Sequence, residues 1–154
     1  MINLKNISLT FKDKQLYDNL DLEVKRGQKA ALYGKSGSGK STLLNIIMGF
    51  QQPDTGKVII DGSELNQSTV NQIRSKTAWL PQNFHIYGSG NILDFFKWVF
   101  GFRHNTNEFS ESELKEKMEI MNLEPGLAES KFEELSGGEK QRFGIILCKM
   151  LKKE

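Results

Sequence analysis

At 154 residues, with 38% apolar and 26% charged side chains, the chain has the makeup of a globular protein able to bury one core. Its 21 Lys+Arg against 19 Asp+Glu leave a net charge of +2, too slight to make nucleic acid the expected partner. A single cysteine, Cys148, excludes a disulfide framework, and neither a leader-peptide pattern nor the roughly eighteen consecutive apolar residues of a membrane span occurs, so export and membrane crossing are not expected.

In chain order, residues 2–11 and 20–24 alternate apolar with polar side chains around a polar break at 12–15, which predicts two antiparallel strands with one wet face. Phe11 closes the first strand. On its own it suits a core or edge position as well as a stacking platform. Residues 29–33 form a short apolar run suited to a buried parallel strand, and residues 43–48 have the apolar density of a buried helix stopped by Gly49. Between them lies Gly34-Lys35-Ser36-Gly37-Ser38-Gly39-Lys40-Ser41-Thr42, in which Gly34, Gly39, Lys40 and Ser41 fill the pattern G-x-x-x-x-G-K-[ST]. A polyphosphate needs many N–H donors converging on it, and any Cβ in the loop would hold the backbone away. Gly34, Gly37 and Gly39 remove that obstacle, while the following helix offers free N–H groups and the positive end of its dipole. Lys40 would reach the β- and γ-phosphates and the Ser41 hydroxyl would ligate Mg²⁺.

Further on, residues 53–56 read as a turn, 57–62 as a strand closed by a second turn, and 70–74 as a short helix. Residues 76–82 read as another strand, terminated by Pro81, with Gln82 at its end as either a ligand-facing polar group or a loop residue. From 83 to 135 the character changes: residues 92–100 give an aromatic-rich helix ended by Gly101, residues 105–109 a polar loop, and Ser110 with Glu113 a capping box for a helix running to about Met121. The aromatic excess suits a core, and also a groove for a partner lined by Phe84, Ile86, Tyr87 and part of 95–100. In residues 135–142, Ser136 and Glu139 are spaced as a capping box, and Gly137 with Gly138 leaves the start of the next helix unobstructed. Such a stretch is an ordinary N-cap or a second anion site.

The loop at 34–42 together with Leu135-Ser136-Gly137-Gly138-Glu139-Lys140-Gln141-Arg142 resembles the ATP-binding cassette (ABC) family, whose signature motif the second stretch resembles. The order of Phe11, the loop, Gln82, a helical insert and the signature fits as well. The resemblance implies an α/β P-loop NTPase of the ABC type, with an antiparallel β subdomain and a partial parallel core sheet over residues 1–82, a helical subdomain over 83–135 and the signature helix over 136–154. It implies ATP and Mg²⁺ as ligands, Phe11 stacking on adenine where the family usually has Tyr, and Gln82 reaching Mg²⁺ and the attacking water. It further implies Ser136, Gly137 and Gly138 closing over the nucleotide of a second, head-to-tail nucleotide-binding subunit. It also implies an integral membrane transporter subunit as partner, with this chain cytoplasmic and peripheral on the cytoplasmic face of the cell membrane.

One departure bears on activity. The family's strand ending in Asp-Glu and its later switch His do not follow the signature within the 154 residues, and neither His85 nor His104 stands in the place of that switch. The expectation is an ATP-binding subunit of an ABC transporter whose parallel sheet carries a gap and which is inactive alone. The alternatives are a soluble ABC ATPase outside transport, or a degenerate nucleotide-binding module.

Overall fold

The alternation in the first residues becomes a hairpin: β1 (Ile2–Phe11) pairs antiparallel with β2 (Lys14–Val24), Ile2 opposite Val24 and Leu4 opposite Leu22. The two connecting residues, Lys12 at φ 47° and Asp13 at φ 63°, both lie in the left-handed region, the turn whose twist matches the flanking strands. This is a computed structural model; it describes residues 1–82, 84, 90–102, 105 and 107–153, which divide into two compact units, 1–74 and 75–154. His85, Ile86, Tyr87 and His104, singled out in the sequence, lie outside the described residues.

In the first unit β3 (Thr55–Ile60) pairs with the free edge of β1, with Leu4 opposite Val58. A second left-handed pair, Asp61 and Gly62, turns the chain into the short β4 (Ser63–Glu64). The sheet order is β2-β1-β3-β4, antiparallel throughout. α1 (Lys40–Ile47) follows the glycine loop and buries Leu43 and Ile46 in a cluster with Leu4, Ile7, Leu9 and Val58. Each such aliphatic contributes roughly 1.5–3 kcal/mol on full burial, so this cluster holds the helix beside the sheet. α2 (Val70–Lys76) sends the Arg74 guanidinium back to the end of α1, where it donates to the Met48 and Gly49 carbonyls at 3.0 and 2.8 Å. A cation there satisfies orphan carbonyls and complements the helix dipole.

Residues 29–33 and 76–82, expected as parallel strands, are not strands in the structure. A strand exists through its ladder, and apolar residue choice cannot supply one when no neighbouring strand is there to accept it. Tyr33 is accordingly 92% exposed.

The second unit is helical. α3 (Ile92–Phe100) is capped by Asn91, whose side-chain oxygen accepts from the Asp94 N–H at 2.8 Å, and ends at Gly101. α4 (Glu111–Ile120) starts at Ser110, whose hydroxyl accepts from the Glu113 N–H at 3.2 Å, while the Glu113 carboxylate pairs with Lys117 one turn on. Two short 3-10 helices, Pro125–Glu129 and Phe132–Glu134, lead to α5 (Gly137–Met150). Ile92, Phe96, Leu114, Met118, Phe143, Ile146 and Met150 make its core.

Candidate functional site

The glycine loop leads into α1, and its shape follows from three backbone dihedrals. Gly34 (φ 154°), Gly37 (φ 75°) and Gly39 (φ 94°) take conformations that a Cβ would strain. At Gly39 the space is also filled, since a Cβ there would lie 2.6 Å from the Tyr17 hydroxyl oxygen. Gly39 is the N-cap of α1 and offers no side chain, so the first N–H groups of the helix are left for another acceptor. No acidic residue lies in the first turn. The result is a positive helix end wrapped by a glycine-lined loop, an arrangement that holds an anion.

Lys40 folds back over this loop. Its ammonium donates to the Gly34 and Lys35 carbonyls, both at 2.8 Å, and so spans the loop from end to beginning. Ser41 follows it with an exposed side chain. Two further side chains from β2 meet the loop: Lys14 donates from its ammonium to the Gly37 carbonyl at 3.4 Å, and the Tyr17 hydroxyl donates to the Gly39 carbonyl. Phe11 is Lys14's direct partner across the hairpin, and its ring is half exposed, with the Lys12 ammonium 5.7 Å from its centroid. Sequence reasoning missed Lys14 and Tyr17. The available signal was register: a tight turn at 12–13 returns the chain beside Phe11, a relation that the looser break at 12–15 obscured.

The second unit carries the remaining candidates. Gln82 follows Pro81 in a bend rather than at a strand end, with its side chain exposed. Ser136 and Glu139 form the expected capping box. The Ser136 N–H donates to the Glu139 carboxylate at 2.7 Å and the Ser136 hydroxyl accepts from the Glu139 N–H at 3.3 Å. Hydrogen bonds from Ser136, first through its side chain and then its backbone, hold the Glu139 carboxyl below the usual carboxylate range. At Gly137 and Gly138 a Cβ would meet no heavy atom within 4 Å among the described residues, so none of them demands glycine at either place. Cys148 is half-buried on α5, where burial pushes its thiol up, away from nucleophile chemistry. Among the described residues no cluster of three His, Cys, Asp or Glu could hold a metal, and no helix is long and apolar enough to cross a membrane.

The sequence model of the family described as "ABC transporter" matches residues 17–154. This chain belongs to the ABC transporter family. Among curated ABC proteins, the methionine import ATP-binding protein MetN of Carboxydothermus hydrogenoformans is 36% identical over 157 residues, covering 94% of this chain and 44% of that protein. The spermidine/putrescine import ATP-binding protein PotA of Spiroplasma citri is 30% identical over 145 residues, covering 94% of this chain and 41% of that one. The chain spans about half the length of the curated relatives it matches. Among solved structures, a dimeric ATP-binding cassette in a post-hydrolysis state with ADP and Pi superposes with a TM-score of 0.79 at 29% identity, covering 99% of this chain and 71% of that one. The fold is thus that of an ABC-type P-loop NTPase cassette, mixed α/β with the antiparallel sheet described above.

Proposed function

We propose that this chain is the ATP-binding part of an ABC transporter subunit, coupling ATP binding and hydrolysis to transport through a membrane partner. The observation that carries the reading is the loop itself, a positive helix end without acidic side chains, spanned by Lys40. In this reading the backbone of residues 34–42, including Lys35, Ser36, Ser38 and Thr42, cradles the phosphates, and Lys40 exchanges loop carbonyls for β- and γ-phosphate oxygens. Phe11 stacks on adenine. Mg²⁺ takes oxygen ligands, and the Ser41 hydroxyl fits this preference, the phosphates supplying the rest. When bound, Mg²⁺ would neutralise phosphate charge beside the Ser41 hydroxyl that would help to hold it.

Residues 1–82 form the nucleotide part, 83–135 the helical subdomain and 136–154 the signature helix. Ser136, Gly137 and Gly138 face the nucleotide of a second, head-to-tail cassette, a role supported by the open space at both glycines. The membrane subunit docks on the aromatic side of the helical part, where Trp98 and Phe102 pair at 4.5 Å with both rings partly exposed and Phe84 packs on Phe95 and Phe132. In this reading the protein sits on the cytoplasmic face of the cell membrane. The named relatives support import as the direction. Calorimetry with ATP·Mg²⁺ and with tripolyphosphate tests the reading: Lys40→Ala loses binding of both, whereas Phe11→Ala weakens ATP and spares tripolyphosphate. Wild-type protein that binds neither ligand sinks the proposal.

A further inference from the structure

We propose that Tyr17 is a positioning residue of the phosphate loop, its hydroxyl fixing the Gly39–Lys40 peptide so that the Lys40 amide is presented to the incoming phosphate. The inference rests on the nucleotide-binding reading above and adds a residue that the loop motif does not contain.

The Gly39 carbonyl accepts two hydrogen bonds, one from the Tyr17 hydroxyl and one at 2.9 Å from the Leu43 N–H inside α1. Both lone pairs of that oxygen are thereby used, and its direction is set from two sides. A peptide unit is planar and trans, so a carbonyl held toward the helix and β2 turns the N–H of the same unit the opposite way. That N–H belongs to Lys40, the first residue of α1 and one of the donors a helix start leaves free. Tyr17 can hold this geometry because it is itself held. It pairs with the buried Leu9 across the hairpin and packs against the sheet cluster that buries Leu43 and Ile46. Burial, outweighing a hydrogen bond from the backbone near Leu43, pushes the phenol pKa up, so the group stays a protonated donor at neutral pH. The same oxygen occupies the space a Cβ on Gly39 would need, so Tyr17 also enforces glycine, and hence the left-handed turn, at the position before Lys40.

Tyr17→Phe removes the one oxygen and keeps the ring. Titration calorimetry on the full chain, with ATP·Mg²⁺ and with tripolyphosphate, reads the cradle with and without a base. The expected result is an equal loss for both ligands, about two- to tenfold in Kd, the worth of one hydrogen bond. The ¹⁵N amide resonance of Lys40 in the ligand-free protein provides a readout that general packing would not move: it shifts in Tyr17→Phe because the carbonyl of its own peptide loses a donor. Wild-type and variant proteins that bind alike, an unmoved Lys40 resonance, or a loss confined to ATP would each overturn the role of Tyr17 while leaving the nucleotide reading standing. A wild-type chain that binds neither ligand overturns that reading and the role of Tyr17 with it.

Discussion

Replacing Gly39 by Ala adds one methyl group where two constraints meet. The φ of 94° is one that a residue with a Cβ adopts only under strain, at about 1–3 kcal/mol. The methyl would also lie 2.6 Å from the Tyr17 oxygen and 3.1 Å from the ring carbon that bears it, so the ring must move and its hydrogen bond to the Gly39 carbonyl breaks. That bond is worth about 0.5–1.5 kcal/mol, which brings the cost to roughly 2–4 kcal/mol against a domain stability of about 5–15 kcal/mol. Gly37 is the control. Its φ of 75° is comparably strained, yet a Cβ there meets nothing within 4 Å, so Gly37→Ala carries the dihedral cost alone. Urea unfolding monitored by circular dichroism should therefore show the Gly39→Ala midpoint falling below that of Gly37→Ala by about 0.5 M, the hydrogen-bond cost divided by a slope of about 2 kcal/mol per molar. In a Tyr17→Phe background the 2.6 Å contact disappears and the 3.1 Å one remains, so Gly39→Ala should cost less there than in the wild type. Equal midpoints for the two alanine variants, or no coupling to Tyr17, would refute the packing argument.

Ser136→Ala removes one half of the capping box and should destabilise the second unit by about 1 kcal/mol while leaving ATP affinity of the monomer unchanged, measurable by urea unfolding and calorimetry on one preparation. The same cap makes stability depend on acid. Because Glu139 titrates lower when folded than when unfolded, its contribution is present above the ordinary carboxylate range and fades as pH falls through the lowered value, so the gap between wild type and Ser136→Ala should narrow there. Gly138→Ala should keep or slightly raise stability, since alanine is favoured over glycine inside a helix and the space is open, yet abolish ATP-dependent dimerisation in light scattering; an unaltered dimer would remove the signature from the interface.

What could be read from the chain beforehand was what local chemistry decides. The Ser136 and Glu139 pair fixed the start of α5, Gly101 fixed the end of α3, and Ser110 fixed the start of α4, because each acts within one helical turn. The loop was legible for a similar reason, its glycines being dictated by their own dihedrals. Residues 29–33 and 76–82 have the apolar content of strands, but a ladder depends on a neighbour that composition does not locate. Tyr17 and Lys14 were hidden for another reason. Their relation to the loop spans 22 and 23 residues of chain and emerges only once the hairpin register is set.

The posture of Lys40 has a consequence for which anions the site can retain. Its ammonium already holds two carbonyl oxygens, so a phosphate entering the loop gains only the difference between its own oxygens and the two it displaces. A chloride ion, a single acceptor atom in exchange for two, returns little from that trade. A triphosphate can replace both at once and engage the loop amides as well. In the nucleotide-binding reading Lys40 therefore acts as a threshold as much as an attractant, holding the loop until a chain of phosphates replaces both contacts.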